Sequence, residues 1–158
     1  MTKSTNIKTF EHWTLSYKVI YYATFRFSAY MAKNQYQSEF EINASPKVLN
    51  NYLITPGGLS EWFADDVNVL SDNSYRFVID GEEIIGKVLG QKQNKFIKVQ
   101  FQDDVDDPSV LEIILDQNEL TQAVYVVVKE YSDQYESDQE HYDVWEGLVD
   151  DLRDLVGG

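Results

Sequence analysis

The chain has two histidines, His12 and His141, and no cysteine. That composition excludes thiol nucleophiles, disulfides and thiolate metal sites outright. His12 falls in an N-terminal stretch unlike the rest of the sequence. No two-histidine metal site and no Ser/His/Asp triad can therefore be assembled from the remainder. His141 stands one helical turn before Trp145 and could serve as an acid or base near neutral pH, but a histidine at the start of a helix reads first as a solvated one. Asp103, Asp104, Asp106 and Asp107 could approach Ca²⁺, yet they lack the glycine and terminal glutamate of an EF-hand loop and read as a charged hairpin. Asp65-Asp66 reads as a helix exit and strand entry. Arg76, the sole arginine between Arg26 and Arg153, would anchor a ligand carboxylate if it pointed inward, but its neighbours Tyr75 and Phe77 read as the inward pair. No catalytic set, no metal and no cofactor is expected.

Aromatic chemistry is better supplied. The segment LITPGGLSEWFADDV, residues 53–67, puts Pro56 and two glycines before adjacent Trp62 and Phe63. Two large rings on one short segment can fill core, line a pocket, or do both.

Charge limits the partners. Residues 1–30 hold Lys3, Lys8, Lys18 and Arg26 against Glu11, while residues 31–158 carry nine basic and 26 acidic side chains, a net of −17. Such a surface repels phosphate backbones and anionic lipid headgroups, because both need clustered Lys and Arg. Neither nucleic acid binding nor membrane insertion is expected, and the lack of cysteine fits a cytoplasmic setting. The same first thirty residues hold eight of the 22 aromatics, show no sustained period, and end just before Met31. They fit neither a secretory signal nor a transmembrane span. Two readings remain, an added N-terminal element or an extension of the reading frame upstream of a start at Met31, and the compositional break on a methionine favours the second.

After Met31 the elements that would position these residues are legible. Tyr36, Ser38, Phe40 and Ile42 alternate with polar residues, the period of a half-buried strand. Ser45-Pro46 and Thr55-Pro56 are each a cap followed by a first-turn proline, and predict two short helices, the second carrying Leu59, Trp62 and Phe63. Strands are predicted at Val67–Leu70, Tyr75–Ile79, Glu83–Leu89, Lys95–Phe101, Val110–Leu115 and Thr121–Lys129, with Asp80-Gly81 as a primed hairpin turn. Trp145, Leu148, Val149, Leu152, Leu155 and Val156 then recur at intervals of three and four on one long helix. Gly147 within it costs about 1 kcal/mol relative to Ala, which suggests a close neighbour there.

One strand, two short helices, about six strands and a long helix make an α+β chain. That order resembles the helix-grip fold of the START-like (SRPBCC) superfamily. The pattern of Thr55, Pro56, Leu59 and Trp62 before an acidic turn is similar to the branch named after activators of the Hsp90 ATPase. The resemblance covers about Lys33 to Val156. It implies a curved antiparallel sheet of six to seven strands wrapped around the C-terminal helix, with a largely apolar pocket between them. The residues expected at that pocket are Trp62, Phe63, Tyr75, Phe77, Phe101, Tyr125, Trp145 and Leu148, with Trp62 and Trp145 approaching from opposite sides. The implied function is non-enzymatic binding of a small apolar or amphipathic, lipid-like molecule. An Hsp90 co-chaperone-like interaction module is the second reading and a pocket enzyme of the cyclase or hydrolase type the third. The oligomeric state is left open.

Overall fold

The computed structural model describes residues 33–70 and 73–157. The expectations about residues 1–30 and His12, and about a start at Met31, lie outside them. Strand β1 (Asn34–Ile42) leads into two short helices, α1 (Pro46–Ile54) and α2 (Pro56–Trp62). Six strands follow: β2 (Asp66–Val69), β3 (Ser74–Ile79), β4 (Glu82–Lys92), β5 (Phe96–Phe101), β6 (Val110–Gln117) and β7 (Val124–Ser132). The long helix α3 (Asp138–Val156) closes the order. The strands form one antiparallel sheet in the order β1-β7-β6-β5-β4-β3-β2. A meander from β2 to β7 is joined at its far end by β1, so the first strand lies beside the last.

Local chemistry sets each element. Asp80 and Gly81 both take positive φ, 52° and 79°, the primed turn that a two-residue hairpin between β3 and β4 requires. A register shift between Val88 and Gly90 bends β4 against β5 and adds curvature to the sheet. Ser45 accepts the Val48 amide and Thr55 the Gly58 amide at the starts of α1 and α2. Ser137 accepts the Glu140 amide at the start of α3, and Gly157, at φ 72°, ends it in the left-handed region.

The core lies on one face of the sheet. Phe40, Ile42, Phe77, Ile97, Val99, Leu111, Ile113, Val126 and Val128 point toward the helices and meet Leu49, Leu53, Leu59, Trp62, Trp145, Val149 and Leu152. Helix α3 packs on β1 and α2, while α1 lies over β5 and β6. Gly86 of β4 is buried, and a Cβ added there would lie 2.6 Å from the Phe77 ring, so that ring rests directly on the glycine.

Several expectations need correction here. The seventh strand does not span Thr121–Lys129: Gln122 adopts positive φ within the turn, and β7 runs from Val124 to Ser132. Leu155 is solvent-exposed, at the edge of the α3 stripe, while its neighbours Leu152 and Val156 pack on the core. No atom would lie within 4 Å of a Cβ added to Gly147, so nothing packs against the helix there. Arg76 points away from the core and pairs with Glu83 at 3.2 Å, because strand parity sends Tyr75 and Phe77 inward. No helix among the described residues is long and apolar enough to cross a membrane.

Candidate functional site: an aromatic cleft over a buried carboxylate

The Pro-Gly-Gly segment folds α2 tightly back on α1. The Thr55 hydroxyl donates to the Asn51 carbonyl at 2.6 Å and accepts from the Gly58 amide at 3.0 Å, tying the end of one helix to the start of the next. Gly58 is the close-contact position: a Cβ there would run into the Asn51 carbonyl oxygen and lie 2.6 Å from the Tyr52 Cα. Trp62 is then fixed by its indole N–H, which donates to the Tyr52 carbonyl at 2.9 Å. Its ring is 5 % exposed. Phe63, the next residue, is half-buried and stacks on Trp145 of α3 with centroids 5.7 Å apart and planes 12° from parallel. The rings continue edge-to-face from Phe63 to Phe77 at 5.9 Å and from Phe77 to Phe101 at 5.3 Å, spacings typical of favourable aromatic pairs.

Between this ring cluster, the β3–β4 turn and α3 lies a cleft of about 740 Å³, within the range of small-molecule sites. Trp62, Phe63, Phe101, Leu111, Trp145 and Leu148 supply apolar surface, and Glu61, Asp80 and Asp151 stand exposed among its lining. Gly147 also lines it, and its missing side chain leaves that stretch of α3 open.

Of the eight residues expected at the pocket, Trp62, Phe63, Phe101, Trp145 and Leu148 border this cleft. Tyr75 and Phe77 are core residues that do not reach its surface; Phe77, 1 % exposed, supports the wall from behind through Phe63 and Phe101. Tyr125 is on the outer face of the sheet, since its strand neighbours Val124 and Val126 occupy the inner one. Trp62 and Trp145 do not face each other across open space. Their centroids are 6.4 Å apart in an edge-to-face contact, so the two rings make one continuous wall.

The inner end of the cleft is polar, and its central residue escaped the sequence reading. Glu130 is buried, one residue past the predicted end of the seventh strand, and its Oε2 accepts from the Trp145 indole N–H at 2.9 Å and from the Tyr135 hydroxyl at 3.0 Å. Strand parity could have found it: Val124, Val126 and Val128 face inward, and Glu130 continues the same phase. Burial, and then the negative charge of Glu130, push the Tyr135 hydroxyl above the ordinary tyrosine range. His141, expected to be solvated, is fully buried, because it shares the inner face of α3 with Trp145 four residues on. Its Nδ1 is 2.8 Å from the Ser38 hydroxyl, its Nε2 is 3.4 Å from Glu130 Oε2, and its ring stacks on Tyr36.

Ser38, His141 and Glu130 therefore stand in the order of a hydrolytic triad, a juxtaposition the sequence did not reveal. Geometry argues against that use. Ser38 and His141 are buried, neither borders the cleft, and a nucleophile without access to substrate cannot attack it. The group instead ties β1, β7 and α3 together through a polar core network, which is costly to leave half-satisfied.

On the rim, Asp103 accepts from the Ser109 hydroxyl at 2.6 Å and from the Ser109 amide at 2.9 Å. Burial pushes its carboxyl up, but these hydrogen bonds and those from backbone amides more than offset that and hold it below the ordinary carboxylate value. The acidic hairpin is organised locally in this way, with Asp104 also accepting the Asp106 amide at 2.9 Å.

The sequence matches the family described as START-like superfamily domain over residues 30–158. Among solved structures, the chain is similar to the Aha1 dimer from Colwellia psychrerythraea, with a TM-score of 0.63, 18% identity, and coverage of 78% of this chain and 96% of that one. A Bacteroides fragilis protein solved in solution matches with a TM-score of 0.55 and 27% identity, covering 78% of this chain and 90% of that one. CalU16 from Micromonospora echinospora matches with a TM-score of 0.58 and 12% identity, covering 78% and 84%. No curated protein sequence matches the chain.

Proposed function

Because the chain belongs to the START-like superfamily, we propose that its cleft binds a small, largely apolar or amphipathic molecule without transforming it. The observation that carries this reading is the cleft of about 740 Å³ walled by Trp62, Phe63, Phe101 and Trp145. Large rings offer apolar area at little entropic cost, and a few fixed polar groups at one end give orientation. The sole array resembling a catalytic set among the described residues, Ser38 with His141 and Glu130, has its nucleophile sealed from the cleft. That favours binding over hydrolysis. A cytoplasmic setting accords with the absence of cysteine. A co-chaperone role draws only on a structural likeness at 18% identity, which carries fold and not partner. Under the binding reading, the protein at saturating concentration should leave the ATPase rate of its host's Hsp90 unchanged.

The direct test is to purify the protein under native conditions, denature it, and identify released small molecules by mass spectrometry. In parallel, a neutral apolar probe such as decanol is titrated while tryptophan fluorescence is followed. A released apolar compound, or a saturable fluorescence change that Trp145→Phe diminishes, is the expected result. No released compound together with no saturable response to the probe would overturn the reading.

A further inference from the structure

The cleft is apolar on its walls but strongly one-signed in charge. Glu61, Asp65, Asp80, Asp103, Glu130 and Asp151 all border it, and no lysine, arginine or histidine does so among the described residues. Five of these are exposed, and by themselves would be only part of an acidic surface. Glu130 is different, being 8 % exposed, and it is held at the cleft by the indole N–H of Trp145 and the Tyr135 hydroxyl, with the buried His141 ring 3.4 Å away on the side turned from the cleft lining. A fixed carboxylate thus sits at the inner end, beside the indole that also forms the aromatic wall. Carboxylates around a low-dielectric recess focus a negative potential into it. Electron-rich faces of Trp and Phe add to the attraction for a positive charge.

A bare metal ion fits this arrangement poorly. No three His, Asp or Glu side chains among the described residues converge as a metal site, and rings cannot replace the oxygen ligands a hard cation needs. A fatty acid or other anionic amphiphile would bring its charge into a field of the same sign. We propose that the molecule taken by the cleft is an organic ammonium with an apolar body, its tail against Trp62, Phe63 and Phe101 and its cationic head toward the carboxylates. This rests on the reading of the cleft as a site for a small apolar molecule and specifies the charge of that molecule.

The test compares three probes of equal chain length on the full protein at low ionic strength, below their micelle concentrations: decyltrimethylammonium, decanol and decanoate. Decyltrimethylammonium should bind about tenfold more tightly than decanol, the scale expected of a partly desolvated charge contact with ring faces, and decanoate most weakly. Added salt should shrink the cation's advantage. So should the double variant Glu61→Gln/Asp151→Asn, which removes two exposed rim charges and should weaken the cation more than it weakens decanol. Gly147→Phe, which puts a ring on the open stretch of α3 without altering charge, should weaken both decanol and the cation. Equal affinity for decanol and the cation would overturn the charge inference while leaving the apolar cleft standing. So would tightest binding of decanoate. Cation binding untouched by Gly147→Phe would place the cation on the general acidic surface and also overturn the inference. If none of the three probes binds, the cleft reading itself falls.

Discussion

Replacing Trp145 by phenylalanine keeps a ring against Phe63 but removes the N–H that ends on Glu130 Oε2 at 2.9 Å. A hydrogen bond to a charged group is worth about 1.5–3 kcal/mol, and the smaller ring forfeits apolar burial of about 1 kcal/mol at a position only 2 % exposed. Water entering from the cleft can replace part of the lost donor, because Glu130 borders that space. The net loss should therefore fall at about 2–3 kcal/mol. Glu130→Gln converts the acceptor to a neutral amide oxygen, whose bonds are roughly half as strong. In that background Trp145→Phe should cost about 1 kcal/mol less, a coupling that a double-mutant cycle isolates. The assay is urea unfolding at neutral pH followed by far-UV circular dichroism, since fluorescence would change with the substitution itself, and unchanged m-values would support a two-state comparison. A Trp145→Phe loss below about 1 kcal/mol, or equal losses in both backgrounds within about 0.3 kcal/mol, would refute the claim that the indole holds the buried carboxylate.

Three further outcomes follow from the same geometry. Gly147→Ala should stabilise the protein by up to about 1 kcal/mol, as a Cβ there meets open space; Gly58→Ala should instead destabilise it, because its Cβ would strike the end of α1, and thermal melts of the two variants give opposite shifts. Asp103 has a carboxyl held below its ordinary value of 3.8, so its contribution to stability is present above that pH and is lost as the pH falls through the folded value; an acid titration should show Asp103→Asn less stable than the parent near neutrality and the two converging in acid. Tyr135, raised above its ordinary value of 10.0 by burial and by Glu130, stabilises below that pH and loses the contribution as the pH rises through its folded value; Tyr142 is raised too, chiefly by Glu146, so ultraviolet titration should show a late-ionising phase that Tyr135→Phe shrinks.

Short-range rules in the sequence determined the elements and their order. Period-two alternation marked β1, the Ser45-Pro46 and Thr55-Pro56 pairs marked the starts of α1 and α2, and Asp80-Gly81 marked the primed turn, because each depends on a few adjacent residues and their backbone preferences. Together with the resemblance they also indicated the helix-grip architecture, but not that Trp62 and Trp145 meet edge-to-face in one wall instead of standing on opposite sides of a cavity. What they could not place was anything decided by residues far apart in the chain. Glu130 lay beyond a strand whose end was drawn too early, and its role exists only because α3 folds back to offer Trp145 and the intervening loop offers Tyr135. His141 looked solvated because a helix start is usually exposed, but β1, 103 residues earlier at Ser38, covers it. Tyr125 read as an inward aromatic, yet parity within β7 gave that face to Val124 and Val126. Gly147 looked like a packing contact, and only the absence of any atom near its missing Cβ revealed the open stretch beside the cleft. Local preference decides whether a residue is in a strand or a helix; which side of it is buried, and against which charge, is decided by the partner that arrives from elsewhere in the chain.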